Sequence, residues 1–229
     1  TEAILLGSVT QTGFGGTYKT PMHATSTPTT MLLTRLKAQA FRAYYNWINR
    51  KVWLGHTAGH DINTSHLVIP VRAGDMRARM YHGSRDRPLI IYYHGGGWCI
   101  GNLDTHDAFC RALADASGCT LVALDYRLAP EHPFPAAHDD CLDGTQWLLA
   151  HLDHLAPNNG TAVLAGDSAG GNLTAATGAS LLPNPTIVCT CMIYPATEHY
   201  LAGLPSFTEH AKSKPLTLPI LRWFMDIYL

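Results

Sequence analysis

The chain has 229 residues, of which 46% are hydrophobic and 14% charged, with a formal net charge of −1. That length suits one α/β domain with a small additional lobe, and a near-neutral balance without any run of Lys or Arg argues against nucleic acid or an anionic membrane surface as a partner. No apolar stretch approaches the length of a transmembrane helix, and the first thirty residues lack a signal-peptide pattern.

In chain order, residues 1–29 are rich in Thr, Gly, Ser and Pro without a sustained period, and read as a loosely packed arm. Residues 30–54 space Met31, Leu32, Leu33, Leu36, Ala40, Tyr44, Trp47, Ile48 and Val52 by three and four, which predicts an amphipathic helix. His66–Arg72 and Met76–Tyr81 read as two strands of a hairpin turned at Ala73-Gly74-Asp75. Leu89–Tyr93 is a third, buried strand, followed by a helix over Asp104–Ala116. Thr120–Tyr126 is the next strand, apolar throughout Leu121–Leu124 as a central parallel strand should be. A helix over Ala136–Leu152, a strand over Thr161–Ala165, a strand over Thr186–Tyr194 and an apolar, helix-like Leu218–Leu229 complete the pattern. Strands that alternate with helices after the hairpin predict right-handed crossovers and a mostly parallel sheet.

Two motifs sit at strand ends. Gly166-Asp167-Ser168-Ala169-Gly170 lies between the strand Thr161–Ala165 and a helix-compatible run from Asn172. Strand, G-x-S-x-G and helix are the context of a nucleophile elbow, a turn so tight that side chains two residues to either side of the serine would collide. His94-Gly95-Gly96-Gly97-Trp98 follows Leu89–Tyr93, where three glycines leave backbone N–H groups uncovered. Acyl transfer through a tetrahedral intermediate needs such donors aimed at the developing oxyanion. Ser168 is the candidate nucleophile, and the N–H groups of Gly95, Gly96, Gly97 and Ala169 are candidate oxyanion donors; which two of the three glycines donate stays open. Asp167 reads as an orienting residue beside the nucleophile, turned away from substrate, and His94 as support for the glycine loop.

Other conspicuous residues read as structural. Asp125, Arg127 and Glu131 tie a strand end to the loop below it. Asp139 and Asp140 fit the first turn of a helix, where carboxylates favour the positive end of the dipole. The six cysteines, Cys99, Cys110, Cys119, Cys141, Cys189 and Cys191, form no C-x-x-C pair and read as buried free thiols, which places the chain in the cytoplasm. The thirteen histidines show no metal-ligand spacing.

At His94–Trp98, Asp125–Glu131, Phe134–Asp140 and Gly166–Asn172 the chain resembles the hormone-sensitive-lipase-like family of α/β-hydrolase carboxylesterases, closely over about residues 66–195 and more loosely over 30–58 and 196–229. The resemblance implies an α/β-hydrolase core over 59–195, an N-terminal arm and cap helix over 1–58, and the start of a cap insertion over 196–229. It also implies hydrolysis of small acyl esters without metal or organic cofactor. The family orders its triad Ser, then Asp or Glu, then His, with acid and base on loops after two further strands. Only 61 residues follow Ser168, carrying Glu198, His199, Glu209, His210 and Asp226. Glu198 and His199 stand at the start of the cap insertion, so the triad acid and base are expected beyond residue 229. The last strands of the sheet are expected to be missing, the apolar Leu218–Leu229 to lack a docking surface, and the isolated chain to be inactive. A non-catalytic small-molecule-binding protein on the same scaffold is the alternative, and amide hydrolysis by the same machinery is a third.

Overall fold

The computed structural model describes residues 27–229; the arm expected over residues 1–29 lies almost wholly outside them. The first helix, α1 (Pro28–Val52), begins two residues before the predicted start. Thr27 caps it by accepting the Thr30 N–H at 3.3 Å, and Pro28 stands at the first helical position, where its missing N–H costs nothing.

Six strands form one sheet in the order β1-β2-β4-β3-β5-β6. β1 (Thr64–Val71) and β2 (Gly74–Tyr81) form the expected antiparallel hairpin, and β2 also pairs antiparallel with β4 (Leu121–Leu124). β3 (Leu89–Tyr93), β4, β5 (Ala162–Asp167) and β6 (Ile187–Ile193) are mutually parallel. Between them run α2 (Asp107–Ser117), α3 (Ala136–Ala150), the single turn α4 (Leu152–Leu155) and α5 (Ala169–Ser180). Beyond β6 lie a 3₁₀ turn over Tyr200–Ala202, a short α6 (Pro205–Glu209) and α7 (Leu218–Tyr228). No helix among the described residues is long and apolar enough to cross a membrane.

The alternation of side chains along each strand builds two cores. Leu89, Ile91 and Tyr93 share one face with Val122, Leu124, Ala162 and Leu164, covered by α3, α5 and α7. Ile90 and Tyr92 face the other way with Leu121, Ala123 and Ala165, against Cys110 and Ala114 of α2. Burial on both faces explains why β3 and β4 are apolar at every position.

Three expectations need correction. α7 does have a docking surface: Phe224, Met225, Ile227 and Tyr228 are buried, the Tyr228 ring stacks on Trp98 at 4.5 Å and 3°, and the Phe134 N–H donates to the Tyr228 carbonyl at 2.7 Å. Sequence order hid this, because the partners lie some 95–130 positions upstream. Cys189 and Cys191 are exposed, unlike the other four thiols, because β6 is the last strand of this sheet. Asp140 is not a dipole-complementing carboxylate but a buried one, held by the Arg127 backbone N–H at 2.9 Å and by its guanidinium at 2.8 Å. Asp125, Arg127 and Glu131 do act as ties, each with its own partner: Arg77, Asp140 and Arg42.

Candidate active site

β3 and β5 are neighbours in the sheet, with Tyr93 opposite Gly166, so the loops leaving their C-terminal ends are adjacent. The order of strands reverses here, and in open α/β sheets ligands bind at such crevices. His94–Trp98 leaves β3, and Asp167-Ser168 leaves β5.

Ser168 adopts φ 53° and ψ −117°, a region that a residue with a Cβ enters only when its surroundings force it. The surroundings are visible. The Ser168 N–H donates to the Ile193 carbonyl at 2.9 Å, and its own carbonyl accepts the N–H groups of Asn172 and Ala196, each at 3.1 Å. Asn172 adds a side-chain bond to the Ala196 carbonyl at 3.0 Å, tying the elbow to the segment that leaves β6. A Cβ on Gly166 would strike the Gly170 carbonyl, and one on Gly170 would strike the carbonyls of Tyr93 and His94. The two glycines of the motif are therefore required by backbone contact.

The glycine loop turns through Gly96 (φ 126°), Gly97 (φ 57°) and Trp98 (φ 58°), and the Gly96 carbonyl accepts the N–H groups of Cys99 and Ile100. Gly95 differs from its neighbours. Its N–H donates to Asp167 Oδ1 at 2.8 Å, so it is not free for an oxyanion. The N–H groups of Gly96, Gly97 and Ala169 have no protein acceptor among the described residues. A Cβ on Gly97 would meet the Phe224 ring, which places α7 directly over this loop.

Behind the two loops lies a buried polar layer. Asp167 Oδ1 also accepts the Tyr92 hydroxyl at 2.6 Å and has His106 Nε2 at 3.6 Å, an electrostatic neighbour rather than a hydrogen bond. Burial works to raise the Asp167 pKa, but His106, the Tyr92 hydroxyl and the Gly95 N–H together hold it below the usual carboxylate range. His106 Nδ1 in turn meets the Thr105 hydroxyl at 2.9 Å. His94 stacks on Tyr126 at 4.3 Å, donates from Nδ1 to the Gly95 carbonyl at 2.8 Å, and has its own carbonyl capped by the Tyr126 hydroxyl at 2.6 Å. Burial, reinforced by neighbouring His106, depresses the His94 pKa to about 3, so this imidazole is neutral. His106, Tyr92 and Tyr126 were not singled out in the sequence, where nothing marks a residue that reaches Asp167 or His94 only across the sheet.

No histidine among the described residues is hydrogen-bonded to the Ser168 hydroxyl. His199 caps the 3₁₀ turn, taking the Leu201 N–H on Nδ1 at 3.2 Å and packing on Tyr200. His210 is exposed at the end of α6. Asp226 is engaged by the Tyr200 hydroxyl at 2.6 Å.

A serine held in a strained elbow beside uncovered backbone N–H groups, at the carboxyl ends of parallel strands, defines an α/β-hydrolase type of site. The profile of the alpha/beta hydrolase fold family matches residues 90–229, and the chain belongs to that family. Among curated proteins it is 38% identical over 177 residues to the carboxylic ester hydrolase LipN of Mycobacterium tuberculosis, covering 73% of this chain and 47% of that protein. It is 33% identical over 173 residues to an ethyl acetate hydrolase of Pseudomonas putida, covering 72% and 54%. The chain thus spans about half the length of the curated relatives it matches. Among solved structures, a Pyrobaculum calidifontis esterase superimposes with a TM-score of 0.70 at 34% identity, covering 87% of this chain and 69% of that one. The metagenomic carboxylesterase EstE1 superimposes with a TM-score of 0.74 at 32% identity, covering 84% and 67%.

Proposed function

We propose that the protein to which this chain belongs hydrolyses small carboxylic esters through a serine nucleophile. The observation that carries the reading is the strained Ser168 elbow held one strand away from a glycine loop whose Gly96 and Gly97 N–H groups are uncovered. In this reading Ser168 Oγ attacks the ester carbonyl. The N–H groups of Gly96, Gly97 and Ala169 receive the developing oxyanion, and losing one such donor costs about 10²–10³ in rate. Gly95 and Asp167 hold the loop against the elbow, and His94 fixes the loop's first carbonyl. A histidine base, oriented by a carboxylate, takes the serine proton and returns it to the leaving alcohol. Both come from outside the described residues.

The relatives named as ester hydrolases support this reaction class. The same reading divides the chain into an arm and cap helix over 1–58, a core over 59–195 and the start of a cap over 196–229. A cytoplasmic setting is proposed with it, resting on Cys99, Cys110, Cys119 and Cys141 as buried free thiols; cell fractionation tests it.

The test is a fluorophosphonate probe and a series of p-nitrophenyl esters on the full-length protein. Ser168 is expected to be the labelled residue, turnover to fall as the acyl chain lengthens, and Ser168→Ala to lower kcat by about 10⁴-fold or more. Full activity in that variant overturns the assignment. Binding of an ester without any turnover favours the non-catalytic receptor reading.

A further inference from the structure

The net charge of −1 conceals a segregation. α1 carries Arg35, Lys37, Arg42, Arg50 and Lys51 and no acidic residue, whereas residues 55–195 hold thirteen Asp and Glu against seven Arg and no Lys. Only Arg42 of the five is neutralised, by Glu131 at 2.7 Å. Among the described residues the other four have no carboxylate within ion-pair distance.

The helix is also apolar on the wrong side. Its inward face is accounted for: Ala38 is buried, Phe41 and Tyr45 pack on the core, and Arg42 clamps the carbonyls of Cys99 and Ala129 at 2.7 Å each. A surface helix normally presents polar residues opposite such a face. Here the opposite face is a strip of Leu33, Leu36, Ala40, Tyr44 and Trp47, about 21 Å long at 1.5 Å per residue. Leu33 is 61% exposed, Leu36 51%, Tyr44 54% and Trp47 53%. Arg50 and Lys51 border the strip, with Lys51 Nζ 4.2 Å above the Trp47 ring, while Lys37 Nζ lies 4.9 Å over the Trp223 ring of α7.

We propose that the outward face of α1 docks on an anionic lipid surface. A helix lying in the interface plane needs an apolar face of Leu and Trp to enter the acyl boundary, with Lys and Arg beside it at the headgroups. Tyr and Trp favour that depth. Charge complementarity selects the occupant: Arg50 and Lys51, in the last turn of the helix and with no carboxylate within ion-pair distance among the described residues, meet the anionic leaflet. The inward face clamps Cys99, one residue past Trp98 of the glycine loop, so docking brings the candidate site to the surface where apolar esters gather. The docking itself does not depend on the esterase reading, and its test measures no turnover.

The experiment is co-sedimentation of the 229-residue chain with phosphatidylcholine vesicles, with and without phosphatidylglycerol. Binding is expected to be about tenfold or more tighter to the anionic vesicles and to weaken with salt. At about 1 kcal/mol per basic residue near the surface, each cation removed weakens binding about fivefold, so Arg50→Glu with Lys51→Glu is expected to cost about 25-fold or more. Leu36→Ser and Trp47→Ser are expected to reduce binding as well. If the apolar variants unfold by circular dichroism, the charge-reversed pair decides alone. Equal binding to both vesicle types, no binding, or binding undiminished in these variants overturns the proposal. Self-association that is lost on Trp47→Ser also overturns it, in favour of a second copy on the strip.

Discussion

Asp167 Oδ1 accepts the Gly95 N–H at 2.8 Å, joining the residue before the candidate nucleophile to the first glycine of the loop on the neighbouring strand. The same oxygen holds the Tyr92 hydroxyl, so one buried carboxylate sets the spacing between elbow and loop. Asp167→Ala leaves both donors buried without an acceptor, whereas Asp167→Asn keeps an acceptor oxygen. Because a misplacement of about 1 Å can cost about 10²-fold, the alanine variant of the full-length protein is expected to react with a fluorophosphonate about 10²-fold more slowly. The asparagine variant is expected to lie between it and the parent. Equal rates in all three mean that Asp167 does not position the loop.

Gly170→Ala would place a methyl group against the carbonyls of Tyr93 and His94, which are backbone and cannot swing aside. Overpacking of this kind costs about 1–3 kcal/mol, occasionally more, and here it is expected at or above the top of that range. Urea unfolding measures it. A loss below about 1 kcal/mol shows that the elbow relaxes more readily than its contacts imply.

Tyr228 fastens α7 through its stack on Trp98, its edge contact with Phe134 and its backbone bond to Phe134. Truncating a buried aromatic costs about 3–5 kcal/mol, so Tyr228→Ala is expected to lower stability by that amount and to raise hydrogen exchange across Leu218–Tyr228. Tyr228→Phe keeps the ring and is expected to be mild. If neither variant changes exchange in α7, the helix is not held by this residue.

His94 ties stability to pH. Its pKa in the folded protein is about 3, below the ordinary value near 6.5, so between these limits the unfolded chain binds the additional proton. Stability from this group is complete above about pH 6.5 and falls as pH drops toward 3, by up to about 1.4 kcal/mol per pH unit. Urea unfolding at pH 7 and pH 5 is expected to show this slope reduced in His94→Gln relative to the parent. Identical slopes place the acid sensitivity elsewhere.

Local sequence was sufficient wherever a local rule applied. The doubly buried strands β3 and β4 show as continuous apolar runs, the hairpin as two β-rich segments around a glycine, and the elbow as glycines at the two positions where backbone approaches backbone. These are properties of a residue and its near neighbours in the chain, and they were enough to specify fold class, family resemblance and the tight turn at Ser168. The tertiary structure alone decided what depends on distant segments meeting. Which glycine N–H is consumed was set by Asp167 across 72 positions, and the fate of Asp140 by Arg127 beyond the reach of helix periodicity. The apolar end helix found its cover on Trp98, and the uncovered face of α1 emerged only once its other face was seen to be occupied. A net charge of −1 is a sum and says nothing of position; the sequence already sets the basic residues of α1 apart from the acidic ones of 55–195, and only the structure shows that Arg42 alone of the five pairs with a carboxylate among the described residues.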